Sequence, residues 1–170
     1  MIKVESLERS VNSKVLFKDI NLELPTNQIT GLLGANGAGK TSLFRSIAGL
    51  SDVDSGKLTF FNKNLRSMSL EQRAAIGLNY VPQENSLFEE LTLLENLMAV
   101  VELKFGSIKE SKLKETSTLL KKMNLIEKRD IKAKDLSGGE KRKTEILRAI
   151  LLESKFILLD EPFAGVDPIS

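Results

Sequence analysis

The chain has 170 residues, 41% hydrophobic and 28% charged, the balance of one globular domain and not of a disordered segment. Lysine and arginine number 25 against 23 aspartates and glutamates, a formal charge of +2, too small a surplus to argue for a nucleic-acid partner. With no cysteine and no histidine, disulfides, thiolate or imidazole metal sites, cysteine nucleophiles and histidine-based triads are excluded. Chemistry has to run on carboxylates, lysine, hydroxyls, amides and backbone.

In chain order, residues 2–7 alternate in part and residues 15–24 (VLFKDINLEL) alternate well enough for a half-buried strand. A turn at Pro25, Thr26 and Asn27 precedes residues 28–33 (QITGLL), which read as a short buried strand. After a glycine-rich loop, apolar residues at 43, 44, 47 and 48 predict a helix over 40–50. Residues 57–61 (KLTFF) read as a strand, 69–76 as a short helix, and 77–81 as a strand stopped by Pro82. From Thr92 to about Asn124 the pattern is helical, with capping-box spacing at Thr92/Glu95 and Ser107/Glu110. Leu113, Leu119, Leu120 and Met123 give the second of these helices an apolar face. Acids mixed among the lysines of 109–134 mark a solvated helix face. A third helix over 138–153 and an apolar strand at 156–159 (FILL) follow. Strands alternating with helices predict an α/β protein with a mostly parallel sheet and residues 92–135 inserted on one side. There is no signal-peptide h-region, and no apolar run approaches the ~18 residues that would span a bilayer. The chain therefore reads as cytosolic, with any membrane role arising through a partner.

Residues 34–41 (GANGAGKT) match G-x-x-x-x-G-K-[ST] between a predicted strand and a predicted helix. Gly34, Gly37 and Gly39 let the backbone curl so that N–H groups, with those of Asn36, Ala38 and Ser42, converge on a phosphate. The following helix adds its positive N-terminal end. Lys40 would reach the outer phosphates of ATP, and Thr41 would give its hydroxyl to Mg2+. No G-x-G-x-x-G can be written through the loop, which excludes a dinucleotide fingerprint. At 156–161 (FILLDE) an apolar strand ends on Asp160, a carboxylate suited to holding magnesium beside Thr41, while Glu161 is placed to polarise a water aimed at the γ-phosphate. An apolar run before two acids is common by itself; the phosphate loop gives it meaning. Residues 136–140 (LSGGE) combine a Ser137/Glu140 capping box with Gly138 and Gly139 just inside a helix start. Glycine there costs about 1 kcal/mol against alanine but allows close approach of a second phosphate.

LSGGE between a phosphate loop and FILLDEP resembles the signature of the ABC-type ATPases, along essentially the whole chain. The resemblance implies a P-loop NTPase fold of ABC type with an N-terminal antiparallel β part and a helical subdomain. The core would be 1–91 with 136–170, and the subdomain 92–135. It implies that Gln83, in YVPQ, senses the metal and the attacking water, and that Asp167 belongs to the D-loop. Two copies would meet head to tail, each ATP lying between one copy's phosphate loop and the other's Ser137, Gly138, Gly139 and Glu140. Residues 81–100 and 158–170 resemble lipopolysaccharide-export ATPase subunits, with branched-chain amino-acid importer ATPases as the nearest competitor. Integral membrane transporter subunits are then the implied partners, with Leu87, Phe88 and Leu91 lining their docking groove. The implied location is peripheral, on the inner face of the cytoplasmic membrane.

Two departures stand out. The family stacks adenine on an aromatic residue in the first hairpin; here that position falls near Val11, with no aromatic among residues 1–16. The family also continues past the D-loop to a switch histidine, and this sequence stops at Ser170 without one. An incomplete ATPase domain is therefore expected, binding nucleotide and hydrolysing little. A soluble ABC-type ATPase acting on ribosomes or DNA and an inactive fragment are the alternatives. The stretch from Lys40 to Ser137 carries no sustained heptads, against the DNA-repair type.

Overall fold

The computed structural model describes residues 1–162, in two compact units: Met1–Tyr80, and a second that starts at Val81. In the first, β1 (Ile2–Val11) and β2 (Lys14–Leu24) form an antiparallel hairpin. Its two-residue turn, Asn12 and Ser13, has φ of 48° and 64°, the left-handed pair that suits the right-handed twist of a hairpin. The other edge of β1 pairs antiparallel with β3 (Ser55–Phe60), which pairs with β4 (Lys63–Asn64), giving the order β2-β1-β3-β4. Ile2 and Val4 are buried in alternation. An irregularity at Ser6 (φ 45°) then shifts the phase by one, so Leu7 is buried too. That bulge is why the alternation is only partial in the sequence.

β3 meets this bulge at Gly56, which has φ +90°. A Cβ there would stand 2.4 Å from the Ser6 carbonyl oxygen and 2.6 Å from the Leu7 Cα. Both are backbone atoms of a paired strand and cannot swing aside. Gly56→Ala should cost about 2–3 kcal/mol through strain and forced separation of β1 and β3. A urea midpoint equal to that of the unsubstituted protein would refute the close approach.

α1 (Lys40–Ala48) buries Leu43, Ser46, Ile47 and Ala48 and ends on Gly49 in the left-handed conformation, φ 90°. α2 (Leu70–Ala75) starts from a complete Ser69/Gln72 capping box. β5 (Leu78–Val81) leads into the second unit. Residues 28–33 depart from the sequence expectation: they form no strand, Ile29 is fully exposed and Leu33 is 92% exposed. A strand exists only where a neighbour takes its N–H and C=O groups, and among the described residues none pairs with this segment.

The second unit contains α3 (Leu93–Phe105), α4 (Glu110–Lys122), α5 (Gly138–Leu151) and β6 (Phe156–Leu159). β6 pairs with β5 in a two-stranded sheet, and the Asp160 N–H donates to the Val81 carbonyl at 3.1 Å. Leu93, Leu97 and Val101 of α3 pack with Leu120 of α4, Leu125, and Leu147 and Leu151 of α5 in one apolar core. α3 begins on a complete Thr92/Glu95 capping box. α4 does not begin as expected: its N-cap is Lys109, without a side-chain cap bond. Ser107 directly follows Gly106, the left-handed residue that ends α3, so it sits too early to reach the first N–H groups of α4. Glu110 in the first turn instead meets the positive helix end. The helical stretch is closed at its neck by backbone bonds from Leu93 to Ile131, Leu94 to Arg129 and Ala133 to Leu91, each 2.9 Å.

Candidate functional site

In the first unit the phosphate loop runs from Gly34 into α1. Gly37 and Gly39 have φ of 80° and 89°, conformations costly for residues with a Cβ. Gly39 is the N-cap of α1, makes no side-chain cap bond, and no acidic residue follows in the first turn. No side-chain cap and no first-turn carboxylate thus competes with an anion at the start of α1, where the helix dipole favours negative charge. A Cβ on Gly39 would lie 2.5 Å from the Leu16 carbonyl oxygen on β2, so the loop backs closely onto that strand. The Lys40 ammonium donates to the carbonyls of Gly34 and Ala35, both at 2.8 Å. It thus bridges the loop from within. Gly34, Asn36, Gly37 and Ala38 are exposed; Gly39, Lys40, Thr41 and Ser42 are half-buried. Val11, where the family has its aromatic, stands at the hairpin tip, 41% exposed.

In the second unit the structure brings Gln83, Asp160 and Glu161 to one place. The Gln83 side-chain amide donates to Glu161 Oε2 at 2.7 Å. Asp160 is 3% exposed at the end of β6, while Glu161 is exposed and has φ +43°, a strained conformation for a non-glycine residue. Gln83 and Asp160 offer side-chain oxygens, and Thr41 in the first unit offers a hydroxyl; oxygen donors suit Mg2+ and not a softer metal.

The LSGGE segment opens α5. The Ser137 hydroxyl accepts from the Glu140 N–H at 3.3 Å, and the Glu140 carboxylate accepts from the Ser137 N–H at 2.8 Å. That backbone bond leads in holding the Glu140 carboxyl below its ordinary pKa, with burial opposing it. A Cβ on Gly139 would meet nothing within 4 Å, so a ligand has room at this helix end. Leu87 is buried, Phe88 is 48% exposed with the Arg148 guanidinium 5.4 Å over its ring, and Leu91 is half-buried. Asp167 and its neighbours lie outside the described residues.

The sequence reading missed the buried polar side chains that hold residues 82–92, a stretch without regular structure. The Glu145 carboxylate accepts from the Ser86 N–H and hydroxyl at 2.7 and 2.9 Å, and Arg142 reaches the Pro82 carbonyl at 2.5 Å. Asn96, fully buried on α3, accepts from the Phe88 N–H and donates to the Phe88 and Thr92 carbonyls. The available signal was phase: Arg142 and Glu145 are opposite charges three apart, in step with Ala149 on the buried face of α5.

A glycine-rich loop opening a helix, with a buried aspartate ending a strand, defines a nucleotide-binding protein of the P-loop class. Residues 17–164 match the family described as ABC transporter. The chain is 42% identical over its whole length to the lipopolysaccharide export system ATP-binding protein LptB of Haemophilus influenzae and covers 70% of that protein. It is 38% identical to LptB of Escherichia coli K12, with 99% of the chain and 70% of that protein covered. Among solved structures, an ATP-binding cassette of an ABC transporter superposes with a TM-score of 0.87 at 26% identity, over 99% of this chain and 71% of that one. The ADP conformation of that cassette gives 0.84 at 27%, with the same coverage. The chain belongs to the ABC transporter family, as an ATPase with an ABC-type α/β fold.

Proposed function

We propose that this chain is the ATP-hydrolysing subunit that powers lipopolysaccharide export. The carrying observation is the match to LptB along the whole chain at 38–42% identity. In this reading the α1 N-terminus and Lys40 bind the phosphates of ATP. Thr41, Gln83 and Asp160 hold Mg2+, which when bound neutralises charge on the β- and γ-phosphates. Glu161 orients the attacking water and polarises its O–H bond. Gln83, bonded to Glu161 at 2.7 Å, holds that carboxylate in place and yields when nucleotide arrives.

A second copy of the chain supplies Ser137, Gly138, Gly139 and Glu140 to the same ATP from across a head-to-tail dimer. The open space at Gly139 supports that role. Residues 92–135 act as the helical subdomain and the remainder as the nucleotide-binding core. Integral membrane subunits dock near Phe88 and hold the chain at the inner face of the cytoplasmic membrane. No described helix is long and apolar enough to cross a membrane.

Glu161→Gln keeps the side chain's size and its acceptor for Gln83 but removes the carboxylate. Turnover should fall about a hundredfold, with ATP retained and the dimer held closed on size-exclusion chromatography. Wild-type turnover in this variant would end the assignment. The transported substrate is tested in the native assembly in proteoliposomes: lipopolysaccharide should stimulate ATP hydrolysis. Stimulation by branched-chain amino acids with their binding protein would overturn the lipopolysaccharide reading and leave the ATPase reading intact.

A further inference from the structure

Gln83 and Glu161 are joined twice. Their side chains meet directly at 2.7 Å. Behind them, a single guanidinium holds the backbone carbonyls of the two preceding residues. Arg142 Nη1 donates to the Pro82 carbonyl at 2.5 Å and Nη2 donates to the Asp160 carbonyl at 2.6 Å. Glu145 seats this guanidinium: its Oε2 lies 3.1 Å from Nη1, and its Oε1 accepts from the Ser86 N–H and hydroxyl. The side chains of Arg142 and Glu145 are only 9% and 4% exposed, so screening by solvent is slight and the geometry is defined.

Both residues belong to α5, and Arg142 comes about one turn after the LSGGE residues that open it. A helix moves as a rigid rod over that distance. A displacement of its N-terminus by a phosphate therefore shifts the guanidinium, and with it the peptide groups leading into Gln83 and Glu161. We propose that Arg142, seated by Glu145, is a positioning residue that sets the spacing of Gln83 and Glu161 and transmits the state of the LSGGE helix to them. Arginine is required because its planar fork presents separate nitrogens to two carbonyls at once; a lysine ammonium is a single point that cannot hold both in that geometry. Arg142 touches neither of the reacting groups, so its effect falls on the rate and not on nucleotide capture. The proposal rests on the assignment of Glu161 and Gln83 to hydrolysis.

The test is steady-state MgATP hydrolysis by the native assembly carrying Arg142→Lys or Glu145→Gln, with ATP affinity measured separately in EDTA. Arg142→Lys should lower kcat about tenfold or more, with KM and ATP affinity within twofold of wild type. Glu145→Gln, which keeps an acceptor for Ser86 and loses the charge under the guanidinium, should lower kcat by less, again at constant KM. It carries the test if Arg142→Lys does not accumulate folded. A kcat per folded site within twofold of wild type, or a loss confined to KM, would falsify the positioning role. Failure of the underlying ATPase reading looks different: the unsubstituted assembly itself would neither bind nor hydrolyse MgATP.

Discussion

Lys40→Ala should lower the affinity for MgATP about a thousandfold while leaving the fold in place. The ammonium now donates to two loop carbonyls, Gly34 and Ala35, at 2.8 Å each, and a triphosphate entering the loop offers it charged acceptors instead. Two charge-assisted hydrogen bonds at about 2 kcal/mol each amount to about 4 kcal/mol, or roughly three decades in Kd. Alanine also removes the bridge that holds the loop's curl, so the N–H groups at the start of α1 converge less well. Stability should change little, because Gly34 and Ala35 are exposed and water can take the place of the ammonium at their carbonyls. The measurement is a fluorescence titration with a labelled ATP analogue beside a thermal melt. A Kd within threefold of wild type would show that this loop is not the phosphate site.

The largest loss of stability is expected at Arg73. This residue is 4% exposed in the first unit. Its guanidinium donates to four backbone carbonyls: Met68 at 3.0 Å, Ser46 and Ile47 at 2.7 Å, and Leu65 at 2.6 Å. It thus ties the last turn of α1 to the segment between β4 and α2 and satisfies acceptors that the helix end leaves over. Burial pulls its pKa below the ordinary arginine value, with the Asp52 charge opposing that shift. Arginine as a residue type stays charged at physiological pH, so no pH switch arises here. Arg73→Ala strands these carbonyls and should cost on the order of 4 kcal/mol. The sum of four full penalties would be larger, but Arg73 lines a cleft of about 440 Å³, and water entering there recovers part of the loss. Arg73→Lys should cost nearly as much, since one ammonium cannot face four carbonyls from two sides. Chemical denaturation gives the answer: a change below 1 kcal/mol for Arg73→Ala would mean these bonds contribute little.

The sequence by itself determined everything that depends on a few neighbouring residues. The P-loop, the Thr92/Glu95 and Ser137/Glu140 caps, the strand ending at Asp160 and the β1–β2 hairpin strands were all legible. Each is decided by side chains within about one turn, by an alternation of period two, or by glycines a loop cannot do without. The membership in the ABC transporter family was legible for the same reason, since its motifs are short and occur in fixed order. Tertiary structure decided what depends on partners distant in the chain. Residues 28–33 have the apolar content of a strand, yet a ladder forms only against a neighbour. Ser107 had the spacing of a cap, but the chain enters α4 two residues later because Gly106 first has to end α3. Arg73, Arg142 and Glu145 are charges that folding buries against backbone carbonyls and N–H groups 5 to 60 residues away. Burying a charge is costly unless every partner is in place, and those partners come together only once the helices and strands have packed.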